Sequence, residues 1–414
     1  MKIGVVMYQT SNTKGQELVA QRMTREFRKQ GVEAYLITGP YHDGRRIISS
    51  DTLQRSANGY VRDDKDPKIP LIRVDGYTSA WPPRRIVLRD FVDTLRRIVD
   101  QLGIDVLITH STLWNGPEEG AKFILWKRTM RELGLDERQM LYCHMPHYQP
   151  PEPIGYHITE RSFRTAWNML AFPQIFGVAN LILVTTPIEE QYMIDMGAHK
   201  EQCHLFPGGV DEELYKNHEH IRFEDFARKY GIPENKRIVS YVGTIEERKN
   251  PLAVVRVAKN LRDLKEVHLI ITGHGSDQER EVRTEANGLE NVTYAGEISD
   301  KEKVQLIKGS YLNIIMSRME ALGLTQLEFM YGGVPIITSA AGGQRWLVRD
   351  DVDGIHVNGP EDWNGAARAI RHLIKNQEIR DIMSQNARRR AQDFTIEKLT
   401  RELGQKLRVT FSHS

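Results

Sequence analysis

Short runs of consecutive apolar residues recur along the chain, separated by stretches in which apolar positions return at helical spacing. Ile3–Tyr8, Ala34–Thr38, Val106–Thr109, Met140–His144 and Leu181–Thr185 are such runs in the first half. Ile238–Val242, His268–Thr272, Asn291–Ala295, Leu312–Met316 and Pro335–Thr338 are their counterparts in the second. Runs without alternation predict strands buried on both faces, as in a parallel sheet. Helical stretches such as Glu17–Gln30 and Pro251–Leu264 lie between them. Strand–helix–strand repetition of this kind predicts a doubly wound α/β architecture.

The pattern occurs twice, with a break over Phe206–Lys236 where the chain is polar and lacks apolar periodicity. Two Rossmann-like domains are expected, over 1–205 and 206–394. A charged helix and tail over 395–414 can pack back on the first domain. The stretch Arg45–Lys68 is polar and aspartate-rich and reads as a surface excursion. Open parallel sheets bind ligands at the carboxyl ends of their strands. Two such domains facing a central cleft would each hold one substrate, and closure would exclude water.

Composition narrows the class. The 414 residues carry 57 Lys and Arg against 55 Asp and Glu, a net charge of +2, so nucleic acid is not an expected partner. The 40% of hydrophobic residues suits a globular chain with a core of ordinary size. No run approaches the roughly 18 apolar residues of a membrane span, and the N-terminus lacks the signature of a secretory signal. Two cysteines, Cys143 and Cys203, fit a reducing cytosol, with a single bridge left open. The expected location is the cytoplasm, with peripheral attachment to the inner face of the membrane as a variant. No DxD stands in a metal-binding context; Asp63-Asp64 and Asp350-Asp351 read as solvated loop charges, and no zinc ligand set forms among the 14 histidines.

The most informative segment comes after the apolar run Leu312–Met316. It reads Ser317-Arg-Met-Glu320-Ala-Leu-Gly323-Leu324-Thr325-Gln-Leu-Glu328-Phe-Met-Tyr-Gly332-Gly333-Val-Pro335. Glu320 falls in a loop, a helix begins near Leu324, and Glu328 lies about one turn into it. Gly332-Gly333 closes that helix. Backbone N–H groups at such a helix start attract a diphosphate. A loop carboxylate can hold sugar hydroxyls, and a second one can hold a ribose. The plainer reading makes both glutamates solvated helix-end charges.

This segment, Glu320-x7-Glu328 followed by Gly-Gly-Val-Pro, resembles the EX7E signature of family 4 retaining glycosyltransferases, whose fold is GT-B. Other landmarks fall in the family's order: Pro207-Gly-Gly209-Val-Asp211, Tyr241-Val-Gly243 with Arg248-Lys249-Asn250-Pro251, Gly273-His-Gly275, Gly342-Gly343 and Asp353-Gly354. The resemblance covers most of the chain. It implies an acceptor-binding first domain and a nucleotide-sugar-binding second domain. It implies a metal-independent hexosyltransferase using a UDP-, GDP- or ADP-sugar as co-substrate, with no permanently bound cofactor. The acceptor is a sugar, a small molecule or a lipid-linked glycan.

The resemblance also assigns roles. Lys249, Arg248 and the backbone around Gly323, Leu324 and Thr325 neutralise the departing diphosphate. Gly243, Thr244, Gly273 and Gly275 shape the donor loops, Glu320 and His144 hold the transferred sugar, and Glu328 takes the ribose. The leaving phosphate itself accepts the acceptor's proton, so no protein nucleophile is needed. Gly15, His110 and His147 lie on the acceptor side. From the residues alone, Asn250 before Pro251 reads as an N-cap ahead of a favoured first helical residue. The plain alternatives are that Arg248 pairs with Glu246 or Glu247 on the surface, and that His144 is a packing histidine. The chain departs from the family at three places: Thr244 stands where an arginine is usual, Met145 where an aspartate is usual, and Gly15 is a single glycine where two are common.

Two other readings share these residues: a GT-B synthase or phosphorylase acting on a free disaccharide, and a nucleotide-sugar-binding protein without catalysis, which Thr244 favours. An unrelated nucleotide-binding oxidoreductase is disfavoured, because the turn Tyr8–Glu17 lacks GxGxxG. The segments Trp81–Phe91 and Arg161–Trp167 mix aromatic and basic residues and keep a membrane surface open as a partner. Assembly as a dimer is open as well.

Overall fold

The computed structural model describes residues 1–12, 14–64, 66–80, 85–150, 158–275 and 278–413. The chain forms two compact units, Met1–Gly208 with Ile396–Ser414, and Gly209–Thr395.

The first unit is built on eight strands: β1 (Lys2–Met7), β2 (Glu33–Thr38), β3 (Tyr60–Asp63), β4 (Leu71–Val74), β5 (Val106–His110), β6 (Leu141–Met145), β7 (Leu181–Val184) and β8 (Cys203–Leu205). Their order across the sheet is β8-β7-β6-β5-β1-β2-β4-β3. All neighbours are parallel except β3, which runs antiparallel to β4 at the edge. The central strands are buried along most of their length, as the unbroken apolar runs require. Helices α1 (Gly15–Lys29), α2 (Gly116–Glu132) and α3 (Ile158–Phe176) come after β1, β5 and β6. The core joins Val6, Ile37, Ile72 and Leu107 of the sheet to Phe123, Ile124, Phe172 and Ile175 of α2 and α3.

The second unit holds six parallel strands: β9 (Arg237–Val242), β10 (Val267–Thr272), β11 (Val292–Gly296), β12 (Ser310–Ile315), β13 (Ile336–Thr338) and β14 (Gly354–His356). Their order, β11-β10-β9-β12-β13-β14, is the doubly wound one, and it reverses between β9 and β12. In the first unit the reversal falls between β1 and β5. Each reversal leaves a crevice outside the carboxyl ends of the two strands. The helices that concern the second crevice are α4 (Phe223–Tyr230), α5 (Pro251–Asn260), α6 (Asp300–Gly309) and α7 (Leu324–Tyr331).

The last helix, α8 (Ile396–His413), belongs to the first unit and packs against α1. It buries Leu399, Leu403 and Leu407, spaced to line one face. Gln30 donates to the Glu397 carbonyl at 3.0 Å and Gln139 to that of Phe411 at 2.8 Å. Each fully buried leucine contributes about 2 kcal/mol, which holds a highly charged helix in place.

Three expectations are corrected. The stretch Arg45–Lys68 contains the helix Ser50–Gln54 and strand β3, so it is not merely a surface excursion. Only one face of an edge strand needs apolar residues, and β3 buries Tyr60 alone. The polar break Phe206–Lys236 carries two helices, Glu212–Asn217 and α4. Helix α4 is anchored by Phe226, whose ring lies 4.5 Å from that of Tyr230. Finally, α1 starts at Gly15, so that glycine opens the helix and does not lie in a loop before it.

Candidate active site

The crevice of the second unit is built from the loops that leave β9 and β12. After β9 the chain passes Gly243 and Thr244 into a short 3-10 turn, Glu247–Lys249. Gly273 has φ +140°, and a Cβ there would collide with the Gly243 carbonyl oxygen. Only glycine allows the loops after β9 and β10 to lie backbone against backbone in this way. Asn250 adopts φ +51° and donates through Nδ2 to the Pro360 carbonyl at 2.8 Å, and its side chain caps no N–H of α5. Asn250 thus holds the N-cap position ahead of Pro251 as expected, but without a side-chain cap: the right-handed helical region is disfavoured before proline, and asparagine tolerates the left-handed one.

After β12 the loop Met316–Gly323 brings Glu320 to the same end of the sheet. The carboxylate is buried, accepts from Ser317 Oγ at 2.8 Å, and receives the Lys249 ammonium on Oε1. Arg248 Nη1 lies 3.7 Å from Glu320 Oε2 and donates to the Met319 carbonyl at 3.0 Å. Arg248 Nη2 bonds Glu246 Oε1 at 2.6 Å, so the surface pairing and the crevice contact coexist. Burial pushes the Glu320 carboxyl up, but Lys249 and Arg248 outweigh it, and the group sits below its usual value. The loop is locked by Gly343, whose N–H donates to the Glu320 carbonyl at 2.8 Å. Gly342, at φ +64°, could not carry a Cβ against that carbonyl.

Helix α7 begins right after Gly323, which has φ +100°. Its first N–H groups, from Leu324 onward, have no partner within the helix and face the end where Glu320 sits. Glu328, within α7, is buried and pairs with Lys303 Nζ of α6 at 2.9 Å. Sequence reasoning missed Lys303. Nothing in the chain marks it, because a lysine on a capped helix reads as a solvent-facing charge.

The first unit carries a different cluster. His110 closes β5, His144 is the penultimate residue of β6, and His147 comes two residues after that strand at φ +50°. All three are buried. His110 Nδ1 and His147 Nε2 are 3.1 Å apart, and His144 Nδ1 meets Thr109 Oγ1 at 3.0 Å. Burial pushes His144 and His147 down to about 3 and His110 well below its usual value, so the imidazoles are neutral at pH 7. The Nε2 atoms of His110 and His144 are buried without a partner among the described residues. Gly15 is exposed at the start of α1, whose Gln16 accepts from Ser111 Oγ at 2.7 Å beside His110. Sequence reasoning also passed over buried Glu17, which accepts from Tyr8 and Gln9 at 2.8 Å each.

Two family models match the chain: "Glycosyltransferase Family 4" over residues 13–214 and "Glycosyl transferases group 1" over 222–390. The chain belongs to family 4 of the glycosyltransferases. Similar curated relatives are the D-inositol 3-phosphate glycosyltransferases of Geodermatophilus obscurus and Salinispora arenicola. The first is 28% identical over 241 residues, covering 54% of this chain and 51% of the relative. The second is 28% identical over 240 residues, covering 54% and 53%. The chain thus matches about half the length of these relatives. Among solved structures, sucrose-phosphate synthase from Thermosynechococcus elongatus aligns with a TM-score of 0.70 at 20% identity, covering 100% of both chains. Anabaena HepE in complex with UDP aligns at 0.70 and 18% identity, covering 99% and 100%. These likenesses establish the fold, which is GT-B.

Membership in family 4 sets the three departures in relief. Thr244 is exposed and brings no charge to the crevice, so Arg248 and Lys249 are the cations beside Glu320. Met145 ends β6 in full burial, and its carbonyl accepts from the Ser111 N–H at 2.8 Å. A side chain there packs in the core. Among the described residues, no group of three or more metal-ligating side chains forms, and no helix is long and apolar enough to cross a membrane. Cys143 and Cys203 are free thiols. Of the two aromatic–basic segments, Trp81–Arg84 lies outside the described residues, and Arg161–Trp167 lies in α3.

Proposed function

We propose that this chain transfers a hexosyl group from a nucleotide sugar to a hydroxyl acceptor with retention of configuration. The observation that carries the reading is the meeting of Lys249, Arg248 and Glu320 at the sheet reversal, beside the start of α7. The leaving diphosphate gains charge as the glycosidic bond breaks. Two cations and a helix start stabilise that charge most where it grows, which is how an electrostatic site accelerates a reaction. With positive charge supplied by side chains, the reaction needs no divalent ion.

In this reading the donor's arrival reorganises the pair already in place. Lys249 turns from Glu320 to a phosphate oxygen, and the freed Glu320 oxygen accepts hydroxyls of the sugar. Glu328, held by Lys303, accepts the ribose hydroxyls. The first unit binds the acceptor, with the neutral imidazole of His110 as a hydrogen-bonding group at the end of β5. UDP in the HepE structures supports a nucleotide donor of this kind. The two free thiols support a cytoplasmic location.

A thermal-shift comparison of UDP, GDP and ADP with their sugar conjugates, with and without magnesium, tests the reading. A nucleotide that binds only the folded chain raises its melting point by mass action. A shift with one nucleotide, equal with and without magnesium and lost in Lys249→Ala, is the expected result. No shift with any of them sinks the proposal.

A further inference from the structure

The loop that carries Glu320 touches a group of buried polar side chains: Gln326, Thr338, Ser339 and Gln344. Thr338 ends β13, Gln326 lies in the first turn of α7, and Gln344 opens the short helix Gln344–Leu347 right after Gly343. The Thr338 hydroxyl donates to Gln344 Oε1 and accepts from Gln326 Nε2 at 3.4 Å and from the Ala340 N–H at 3.2 Å. One donor and two lone pairs are the whole capacity of a hydroxyl, so this one is saturated. Ala340 sits at φ +55°, in the left-handed region that a Cβ disfavours, and its bond to Thr338 helps hold it there. Gln344 Oε1 takes a second, longer bond from Ser339 Oγ at 3.4 Å. Gln326 Oε1 and Gln344 Nε2 have no partner among the described residues. Thr338 is therefore the main contact that orients both amides.

Two routes lead from this hydroxyl to the crevice. Through Gln344 it fixes the turn in which Gly343 donates its N–H to the Glu320 carbonyl at 2.8 Å. Through Gln326 it fixes the first turn of α7, where the amide folds back so tightly that a Cβ on Gly323 would meet Gln326 Oε1 at 1.9 Å. Ser339, the next residue, donates to the Ser317 carbonyl at 2.6 Å, and Ser317 Oγ holds Glu320 Oε1 at 2.8 Å. We infer that Thr338 is a positioning residue for the transfer: its hydroxyl keeps the Glu320 loop and the start of α7 in one fixed relation. This deepens the transferase reading above and rests on it. Thr338 is wholly buried, so it acts through Gln326 and Gln344 and not by touching a substrate. Its effect falls on the chemical step. A misplacement of about 1 Å costs on the order of 10²-fold in rate, because the carboxylate and the helix start no longer match the charge that grows on the leaving group. A purely structural role for position 338 would need only a buried β-branched side chain, which valine supplies as well.

Release of nucleoside diphosphate from UDP-, GDP- and ADP-glucose by the full chain tests this, with affinity for the free nucleotide and hydrogen exchange of the Gly343 amide measured alongside. Thr338→Val keeps the shape of the side chain and removes the hydroxyl. It is expected to lower kcat by ~10–100-fold while nucleotide affinity stays within about threefold of wild type. Exchange of the Gly343 amide should quicken about tenfold or more, since its turn loses an anchor. Thr338→Ser keeps the hydroxyl and is expected to hold kcat within about threefold of wild type. An unchanged kcat in Thr338→Val, a kcat in Thr338→Ser as low as in Thr338→Val, or unchanged exchange at Gly343 each overturns the inference. If Thr338→Val does not fold, Gln344→Met takes its place with the same expected loss of kcat, and an unchanged kcat there is equally fatal. If the wild type releases nucleotide from none of the three donors, the transferase reading falls, and exchange at Gly343 alone decides the role of Thr338. If a donor is turned over and Thr338→Val keeps the wild-type rate, the transferase reading stands and this inference falls.

Discussion

Lys249 donates its ammonium to Glu320 Oε1 although 71 residues separate them in the chain. The pair forms because β9 and β12, the strands that precede them, are neighbours at the sheet reversal. Both side chains are largely withdrawn from water, at 20% and 7% exposure, so neither is stable there alone.

Removing Lys249 leaves Glu320 as a buried carboxylate with Arg248 3.7 Å away. Lys249→Ala is expected to cost about 3 kcal/mol of stability and ~10²–10³-fold in kcat/KM. Adding Glu320→Gln removes the stranded charge, so the double variant regains most of the lost melting temperature while activity stays low. A double variant no more stable than Lys249→Ala would show that the pair carries no buried charge worth holding.

Glu328 lies buried beside Lys303 Nζ at 2.9 Å. Lys303→Met is expected to weaken donor binding about tenfold, ~1.4 kcal/mol, with kcat within a factor of ~3. Lys303→Arg restores most of the affinity. A fall in kcat at unchanged donor KM would mean that this pair serves the chemical step and not the ribose.

The three histidines make the first unit sensitive to acid. In the unfolded chain each titrates near 6.5, whereas burial holds His144 and His147 at about 3 and His110 well below its usual value when folded. Between about 6.5 and 3 the unfolded chain binds more protons, so stability present above pH 6.5 is lost as the pH falls through that window. Urea midpoints between pH 8 and pH 4 measure this. His144→Gln, which cannot protonate, is expected to flatten the profile, and an identical slope in that variant contradicts the assignment.

Gly273 cannot take a side chain, because a Cβ would strike the Gly243 carbonyl and its φ of +140° is closed to other residues. Gly273→Ala is expected to cost about 3 kcal/mol and to spread the loops after β9 and β10. Gly288→Ala is the control, at φ −83° with its nearest neighbour atom 3.9 Å away, and should be close to neutral. Equal melting points for the two variants would remove the close-approach argument.

Some of this was legible from residue order. Buried parallel strands are mostly apolar, so β1, β2, β5, β6, β7, β9, β10, β12 and β13 stand out as runs, and the half-buried β11 with them. Strand β3 did not, since an edge strand satisfies its neighbours with one buried tyrosine. The helices of 212–230 escaped for a related reason: their apolar content is a few aromatic residues among charges. At the crevice, Glu320, Glu328 and Lys249 were visible because glycines and a helix start punctuate them. Lys303 was not, for it acts through a partner, Glu328, that only folding brings near.

The chain by itself determined the class of fold, the doubling of the α/β pattern and the order of the site's landmarks, because burial and backbone strain act locally and leave their mark in residue type. Tertiary structure alone decided which charges meet. Strand order brings Lys249 to Glu320, and helix packing brings Lys303 to Glu328. Such pairings depend on the low dielectric and the fixed distances of a folded interior, and the unfolded sequence has neither.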